Sequence, residues 1–307
     1  MQITDTLLMV RPASFRANQE TATTNFFQSS DTKTDLRSIQ QAALNEFDNM
    51  VELLRQHEIN VLVIDDTPIP VKPSAVFPNN WLSTSPEGVI AVYPMYALSR
   101  RAEKREEILL RIANEFIVKD VQDWSEFEAE GRFLEGTGSM VMDHDNKLIY
   151  ACVSERTSLS VLEKFAGTNG YQAIVFIATD KEGFPVYHTN VMMTLGSGFC
   201  VLCEEAIDEE WELIAVRQLL EATHHAIIAI SREQMHCFAG NMLELKNDKE
   251  EHFLVLSQTA FDSLRKEQKD MLEAYAQLLP IAVPTIEKVE GGSVRCMMAE
   301  LFLEQKS

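Results

Sequence analysis

Apolar residues recur at three- and four-residue steps between about residues 34 and 58, which is the spacing of an amphipathic helix. The stretch NVLVID at 60–65 follows directly and is short, apolar and rich in β-branched residues, as is typical of a buried strand. The pattern therefore predicts a helix that leads into a strand. The repeating apolar positions of the helix are Leu36, Ile39, Ala43, Phe47, Met50 and Leu54.

The same order of a helical pattern and then a strand-like pattern occurs four more times, which makes five passages in the chain. In the third passage Thr157 is a plausible N-cap, and Gly170 lies beyond the end of the helix. Five passages give modules of roughly 60 residues and an α/β fold. The four later passages are a charged helix near 99–113 before EFIVKD, TSLSVLEKFAGTNG before YQAIVFIA, DEEWELIAVRQLLEATHH before AIIAIS, and SQTAFDSLRKEQKDMLEAYAQ before LPIAVPTI.

Strand-like runs such as GSMVMDH, KLIYACV and HTNVMMTLGSGFCVLC precede these helices. The proline-rich stretch DTPIPVKPSAVFPNN is too short and too apolar to be a linker between domains. We therefore expect residues 1–307 to form a single domain, in which long loops carry the function.

Composition narrows the range of partners. The chain is 46% hydrophobic and 24% charged, has no apolar run of membrane-spanning length, and begins with MQITDTLLMVRP, which lacks the features of a signal peptide. A cytoplasmic location is expected. The formal net charge of −20 disfavours nucleic acids and anionic membranes as partners. A homo-oligomer is compatible with the sequence.

Five cysteines form an odd set, which argues against a disulfide framework in a chain of this kind. Cys200 and Cys203 have the spacing of metal ligands, but they are a single pair inside an apolar run, so we expect no zinc site there. The charged stretch RAEKREE at 101–107 is most simply a solvated helix face.

Three motifs contain residue types that suit catalysis. Glu135 lies in LEGTGSM after an expected strand end, where two glycines allow a close approach of the backbone. His188 precedes the apolar run of VYHTNVMM, and Cys296 follows the glycine pair of GGSVRCM. Each residue alone is compatible with a purely structural role, because buried cysteines and single histidines are common in cores.

Together and in this order, the motifs resemble the guanidine-modifying superfamily of arginine deiminases, agmatine deiminases and dimethylarginine hydrolases. The similarity extends from MVRPASFRANQETATTN to GGSVRCM and is closest to the citrulline-hydrolase branch, which shares NNW and HTNVMM. The resemblance implies the pentein fold, a five-bladed α/β-propeller of pseudo-fivefold ββαβ-type modules. It also implies that Cys296 is the nucleophile and that His188 is the general acid and base. Glu135 is then the carboxylate of the catalytic set.

The resemblance extends to the substrate-binding positions. Arg100 of YPMYALSRR and Arg156 of SERT match arginines that bind the substrate carboxylate. Asn80 of FPNNW and Asn190 of HTN stand where the deiminases have aspartates, and Asn79 remains an alternative to Asn80.

These asparagines change the expected substrate. A guanidinium has only donors and prefers carboxylates, whereas an asparagine amide matches the donors and the carbonyl of a neutral ureido group. We expect hydrolysis of citrulline to ornithine, ammonia and carbon dioxide through an S-carbamoyl cysteine, a mechanism that implies no metal and no organic cofactor. The alternatives are an arginine deiminase or dimethylarginine hydrolase, an amidinotransferase, and a pentein-fold binding protein without catalysis. The sequence leaves the donors to the oxyanion open.

Overall fold

The computed structural model describes residues 2–22, 25, 27–28 and 35–306, in which short strands alternate with helices. This alternation confirms the α/β class. The strands are β1 (Thr6–Arg11), β2 (Asn60–Asp65), β3 (Leu82–Thr84), β4 (Val89–Val92), β5 (Asp120–Asp123), β6 (Val141–Asp143), β7 (Leu148–Cys152), β8 (Gln172–Phe176), β9 (Met193–Leu195), β10 (Phe199–Leu202), β11 (Ala226–Ala229), β12 (Leu243–Lys246), β13 (His252–Ser257), β14 (Gln277–Ile281) and β15 (Ala299–Glu300). The α-helices are α1 (Leu36–Gln56), α2 (Leu98–Arg101), α3 (Glu106–Glu115), α4 (Gly136–Ser139), α5 (Leu159–Asn169), α6 (Glu210–Ala222), α7 (Arg232–His236), α8 (Gln258–Ser263), α9 (Lys266–Glu273) and α10 (Pro284–Glu290).

The strands of the described residues form five three-stranded sheets with one shared topology. In each sheet the central strand pairs antiparallel with one neighbour and parallel with the other. The parallel neighbour follows the central strand in sequence, and at least one helix connects the two. The repeated ββαβ order agrees with the five passages predicted from the sequence. The sheet orders are β15-β1-β2, β3-β4-β5, β6-β7-β8, β9-β10-β11 and β12-β13-β14.

The described residues fall into two compact units. The first unit comprises those of 4–136 and 283–307, and it holds the sheets that contain β1 and β4. The second unit comprises those of 1–3 and 137–282, and it holds the remaining three sheets.

The core of the first unit is formed by apolar side chains from its two sheets and from α3. Burying each large aliphatic side chain contributes about 1.5–3 kcal/mol relative to leaving it in water. The alternating inward positions of β1 and β4 therefore hold the frame that carries the adjoining turns. The buried members are Leu8, Val10, Ala75, Trp81, Leu82, Ile90, Val92, Met95, Ile108, Ile112, Phe116, Ala299, Leu301 and Leu303.

The first predicted helix and strand are confirmed. The helix predicted over 34–58 is α1, and its predicted apolar positions are buried except Leu36, which is exposed in the first turn. Asp35 accepts a hydrogen bond from the Ser38 N–H as the N-cap. Residue 34 lies outside the described residues. The run NVLVID is β2 over its full length. Where the period is strong and the apolar set is complete, sequence pattern locates the element to within two residues.

The single helix predicted near 99–113 is wrong, because the chain forms α2 and α3 with a break between them. The break places Glu103 in the interior, where it binds Arg100, and the Arg105 N–H closes a tight turn onto the Glu103 carbonyl at 2.9 Å. The reading of RAEKREE as a solvated face is therefore wrong for Glu103. The strand predicted at EFIVKD is also displaced, since β5 begins at Asp120.

Two further boundaries differ from the prediction. The helix predicted over SQTAFDSLRKEQKDMLEAYAQ is divided into α8 and α9, because Leu264 and Arg265 are extended and Gln268 accepts a hydrogen bond from the Arg265 N–H. The N-cap residue of α5 is Ser158 rather than Thr157. Gly170 ends α5 with a φ of 72°, as predicted for a glycine C-cap.

No helix within the described ranges combines the length and the apolar character that crossing a bilayer requires.

Candidate active site

The candidate residues lie in the turns that lead into the antiparallel outer strands of the sheets. Asn80 precedes β3, Glu135 precedes α4 and β6, His188 and Asn190 precede β9, and Cys296 precedes β15. Because the sheets share one topology, these turns are equivalent places in repeated modules. Positions of this kind are suited to function, since a rigid sheet fixes the short loop that it carries.

Cys296 lies in the 3-10 turn Val294–Met297, directly before β15. Its side chain is buried, with the residue 4% exposed, and its N–H donates to the Ser293 carbonyl at 3.0 Å. Gly291 ends α10 with a φ of 64°, a conformation that favours glycine. A Cβ at Gly292 would lie 2.7 Å from a ring carbon of Phe77. The glycine pair therefore allows the turn to pack closely against its neighbours.

Three of the other cysteines are buried thiols that burial keeps protonated. Burial raises the pKa of Cys152 to about 11 and that of Cys203 to about 12, and it raises the pKa of Cys200 strongly as well. Cys237 is partly exposed. Cys296 lies in the turn that follows α10 and its glycine C-cap.

The expected absence of a metal remains a prediction. Among the described residues, one group of three side chains, Asp180, Glu182 and His236, holds potential ligand atoms within 4.8 Å of one another. Cys200 and Cys203 are not part of that group.

Glu135 is fully buried and precedes α4 rather than following a regular strand. Its Oε1 accepts a hydrogen bond from the Tyr96 N–H at 3.0 Å, and its Oε2 lies 4.0 Å from Nη1 of Arg100. Gly136 has a φ of 47°, and a Cβ there would lie 2.3 Å from the Asn79 carbonyl oxygen. The first glycine of EGTG thus permits a close approach, as predicted, but the group that approaches is the backbone beside Asn80.

Arg100 is buried and binds several groups of the protein. Its Nε donates to Oε1 of Glu103 at 3.0 Å, and its Nη2 donates to Oε2 of Glu103 at 2.9 Å. Nη2 also donates to the Phe77 carbonyl at 3.0 Å. Nη1 donates to Oδ1 of Asn80 at 2.7 Å. The guanidinium therefore ties the Asn80 turn to the segment between α2 and α3.

The charges around Arg100 stabilise its ionised form. Burial alone would lower the pKa of Arg100, but the carboxylates of Glu103, Glu135 and Glu290 raise it above its ordinary value. Burial raises the pKa of Glu103, and Arg100 opposes that change. The first unit therefore contains a buried ionic cluster at the turn that carries Asn80.

The contact with Arg100 fixes the orientation of the Asn80 amide. A guanidinium has no acceptor, so the Asn80 atom at 2.7 Å from Nη1 is the carbonyl oxygen, and Nδ2 points away from it. Asn80 is 3% exposed, and its Nδ2 makes no hydrogen bond to any of the described residues. Buried amide groups are nearly always paired with protein, water or ligand, so this N–H group marks a place where a polar partner fits.

The Asn80 turn packs against the Cys296 turn within the first unit. The 3-10 turns Pro78–Asn80 and Val294–Met297 are in contact, and the Phe77 ring lies against Gly292. The structure therefore brings together four of the predicted residues, namely Cys296, Glu135, Asn80 and Arg100.

The second unit holds the other three predicted residues. His188 is buried, and its ring lies 4.9 Å from that of Tyr187 between centroids. The two rings are tilted by 49° relative to each other. The Arg156 guanidinium lies over the Tyr187 ring, 4.9 Å from its centroid, so Tyr187 contacts both Arg156 and His188.

Asn190 is the middle residue of the 3-10 turn Thr189–Val191 and is buried. Its carbonyl accepts a hydrogen bond from Asn241 Nδ2 at 2.9 Å, and Thr189 Oγ1 donates to the Ser139 carbonyl at 2.6 Å. Neutral hydrogen bonds thus hold this turn in place.

Sequence reasoning missed four polar residues of the first unit: Glu103, Glu290, Asn18 and Ser74. Glu290 accepts hydrogen bonds from the Asn18 N–H at 2.6 Å and from Ser74 Oγ at 2.5 Å. The stretch NQETATTN, which contains Asn18, was part of the resemblance, but its sequence carries no pattern that points to Glu290. Residues 23 and 24 of this stretch lie outside the described residues.

The family model for N,N dimethylarginine dimethylhydrolase, eukaryotic, matches residues 11–303. The chain belongs to the dimethylarginine dimethylhydrolase family. This membership confirms the resemblance to the guanidine-modifying superfamily. The comparison with curated proteins gives no match.

Solved structures of the same superfamily share the fold. ArgZ, an arginine dihydrolase from the ornithine-ammonia cycle in cyanobacteria, has a TM-score of 0.74 at 14% identity, over 96% of this chain and 40% of that one. A mutant of AgrE in complex with L-arginine has a TM-score of 0.73 at 15% identity, over 95% of this chain and 39% of that one. A mutant of DDAH from Pseudomonas aeruginosa in complex with citrulline has a TM-score of 0.66 at 15% identity, over 98% of this chain and 100% of that one. This chain thus spans about two fifths of the length of ArgZ and AgrE.

Proposed function

We propose that this protein is a cysteine-dependent hydrolase of a ureido amino acid, with citrulline as the favoured substrate. The observation that carries the proposal is the orientation of the Asn80 amide. Arg100 holds the carbonyl oxygen of Asn80, so the buried Nδ2 is the group that meets a ligand. A ureido carbonyl accepts a hydrogen bond from this N–H, whereas a guanidinium has only donors and would oppose it.

The proposed reaction begins with attack of the Cys296 thiolate on the central ureido carbon. The C–N bond to the ornithine nitrogen breaks, His188 gives that nitrogen a proton, and the carbamoyl group stays on sulfur as an S-carbamoyl thiocarbamate. His188 then takes a proton from water, which attacks the carbamoyl carbon. The C–S bond breaks, so Cys296 leaves as the thiolate and carbamate is released. Carbamate decomposes to ammonia and carbon dioxide, so one water is consumed for each citrulline.

The other predicted residues have supporting roles in this proposal. Glu135 orients the imidazole or holds a substrate nitrogen, and the amides of Asn80 and Asn190 donate to the oxygen that becomes negative during the attack. Arg156 is the better candidate for the substrate carboxylate, because Arg100 already donates hydrogen bonds to Glu103 and Asn80.

A covalent intermediate has support from a neighbour of the same fold. The N-terminal domain of an ArgZ variant was solved covalently bound to a reaction intermediate, and this chain covers 96% of that domain. A buried cysteine at a glycine turn is the corresponding candidate here.

Hydrolysis of arginine or a methylated arginine is the second candidate. The family name, the AgrE mutant with L-arginine and the buried carboxylate of Glu135 favour it, because a carboxylate suits a guanidinium. An amidinotransferase would use the same nucleophile with an amine in place of water.

The proposal includes the remaining expectations from the sequence. The five sheets with one topology support a five-bladed propeller, in which residues 1–307 act as a single catalytic domain. We propose that the enzyme is cytoplasmic and binds its substrate without a metal or cofactor.

The test is a product assay of the wild type and of Cys296→Ala with citrulline, arginine and methylated arginines. Ornithine and ammonia from citrulline, lost in the variant, would support the proposal. Citrulline released from arginine, again lost in the variant, would establish the second candidate. Turnover that survives in Cys296→Ala would overturn both. Cys237→Ala is the matched control, because Cys237 is a partly exposed thiol.

A further inference from the structure

Glu290 is a buried carboxyl group at the base of the turn that carries Cys296. It is the last residue of α10, directly before Gly291, and is 3% exposed. Its backbone carbonyl accepts a hydrogen bond from Asn25 Nδ2 at 2.8 Å. A buried carboxyl group in the chain segment of the candidate nucleophile needs a reason, because burying a charge is costly.

Both carboxylate oxygens of Glu290 accept hydrogen bonds from residues that are distant in sequence. The Asn18 N–H donates to Oε1 at 2.6 Å, and Ser74 Oγ donates to Oε2 at 2.5 Å. These short contacts are typical of hydrogen bonds to a charged acceptor. The arrangement therefore suits the ionised form of Glu290.

The network continues from Asn18 to the helix that contains Arg100. Asn18 Nδ2 lies 3.1 Å from Ser74 Oγ and 3.1 Å from Ser99 Oγ. Glu20 accepts hydrogen bonds from the Ser99 N–H and Oγ at 2.8 and 2.9 Å. Through Asn18, Glu290 is thus linked to the residue that precedes Arg100.

The glycine turn is packed against the same segment. A Cβ at Gly291 would lie 2.6 Å from the Gln28 nitrogen and 2.8 Å from Asn25 Oδ1. The backbone of Phe27 is equally close. The turn thus has little room to move while these hydrogen bonds persist.

The charged groups facing Glu290 are Arg100, which favours its ionised form, and Glu103, which opposes it. Burial raises the pKa of Glu290 to about 7, and the hydrogen bonds from Ser74 and Asn18 limit the rise. Protonation would turn one acceptor into a donor and break the match with Ser74 or Asn18.

We propose that Glu290 is a positioning residue for Cys296: by accepting hydrogen bonds from Asn18 and Ser74, it holds the glycine turn in the conformation that presents the thiol. The inference rests on the proposed role of Cys296 as the nucleophile. Glu290 is not assigned contact with the reacting atoms. Its effect on the reaction passes through the backbone of residues 291–296, where small displacements are costly because attack requires close alignment.

The test compares Glu290→Gln with Glu46→Gln in the full chain. Glutamine keeps the size of the side chain but replaces one acceptor with a donor. Glu46 accepts hydrogen bonds from the Thr285 and Ile286 N–H groups, so its variant perturbs the opposite end of the same helix. We expect Glu290→Gln to lower kcat about 10- to 100-fold with KM changed less than about threefold, since a hydrogen bond to a charged group is lost.

Iodoacetamide alkylation with peptide mapping supplies a readout that general destabilisation would not mimic. We expect Cys296 alone to react faster in Glu290→Gln, because the loosened turn exposes the thiol. General destabilisation would instead expose Cys152, Cys200 and Cys203 together, and that result would overturn the proposal. Equal kcat and equal alkylation in wild type and Glu290→Gln would also overturn it.

Two further variants keep the result interpretable. If Glu290→Gln does not fold, Ser74→Ala removes the donor to Oε2 and is expected to give the same pattern with a smaller effect; a wild-type pattern in Ser74→Ala would contradict the proposal. Cys296→Ala separates the two proposals. Activity that survives in Cys296→Ala removes the proposed function, whereas loss of activity there with normal kinetics in Glu290→Gln removes the positioning role alone.

Discussion

Two turns of the molecule share a backbone design but differ in their electrostatic surroundings. The turns Pro78–Asn80 and Thr189–Val191 are three-residue 3-10 turns that lead into β3 and β9. The N–H groups of Trp81 and Met192, which precede the two strands, donate to the carbonyl of the first residue of their turn at 3.1 Å. The carbonyls of Trp81 and Met192 each accept a hydrogen bond at 2.9 Å from the N–H of the residue that follows the neighbouring strand. The middle residues of the two turns are Asn79 and Asn190.

The difference lies in what holds each turn. Arg100, Glu103 and Glu290 surround the first turn with ionised or titrating groups, and Arg100 binds the Asn80 side chain directly. The second turn is held by neutral hydrogen bonds from Thr189 and Asn241. The same backbone turn thus carries the Asn80 amide among charged side chains and the Asn190 amide among neutral hydrogen-bonding groups.

The comparison also bears on the choice between Asn79 and Asn80. By position in the turn, Asn79 is the equivalent of Asn190, whereas Asn80 is the equivalent of Val191. Asn80 is nevertheless the residue whose amide Arg100 orients. We therefore propose that Asn80, rather than Asn79, selects the neutral substrate.

The largest expected effect is a loss of kcat on replacing the residue that precedes the second turn with the one that precedes the first. Phe77 precedes the first turn and His188 the second, so His188→Phe makes the second turn resemble the first. We expect kcat to fall about 10²- to 10⁴-fold, because general acid and base catalysis is lost. Steady-state assays of citrulline hydrolysis measure this. His57→Phe is the control, and an effect of less than tenfold for His188→Phe would contradict the proposed role.

Removing the central cation should affect the first turn alone. We expect Arg100→Met to lower the free energy of unfolding by about 3–5 kcal/mol, since Glu103 would remain buried without its partner. The double variant Arg100→Met with Glu103→Met should recover much of that loss. Urea unfolding of the single and double variants tests the coupling. Additive losses would show that the pair does not act as a unit.

The ionic surroundings should also give the first turn a pH dependence through Glu290. The pKa of Glu290 is raised in the folded protein from 4.5 to about 7, so the folded state binds more protons than the unfolded state between these values. Its contribution to stability is therefore greatest at low pH and falls as the pH rises through this window, by roughly 3 kcal/mol in total.

Unfolding of wild type and Glu290→Gln at pH 5 and pH 8 isolates this contribution. We expect the difference in unfolding free energy between the two proteins to shift in favour of Glu290→Gln at the higher pH. A difference that does not change with pH would mean that Glu290 has an ordinary pKa.

The smallest expected effect concerns selectivity. Asn80→Asp adds a carboxylate beside Arg100, so we expect kcat/KM for citrulline to fall about 10- to 100-fold relative to that for arginine, in line with 1.5–3 kcal/mol for a hydrogen bond to a charged group. Asn79→Asp is the matched variant in the same turn. If Asn79→Asp shifts the preference and Asn80→Asp does not, the assignment of the two residues is reversed.

Local patterns were sufficient for much of the fold. The extent of β2 and α1 and the C-cap at Gly170 follow from apolar period, β-branching and glycine chemistry, which act over a few residues. Glu103 could not be predicted, because a glutamate in RAEKREE looks the same whether it faces water or a buried arginine. Its burial depends on the path of the chain between α2 and α3.

The candidate site divides in the same way. Cys296, His188 and Glu135 were predicted from short sequence motifs, since their proposed chemistry requires particular residue types. Glu290, Asn18 and Ser74 act by joining segments that are far apart in sequence, and no local spacing relates them. Such partners emerge only when the segments are placed in space.

The strand that follows Cys296 has its partner at the other end of the described chain. In the pairing of β15 with β1, Ala299 stands opposite Leu8, so the segment between them must be made before this pair can close. During synthesis the modules within that segment can therefore order before the pair forms. The turn that carries the candidate nucleophile is thus expected to become ordered after the modules that enclose it.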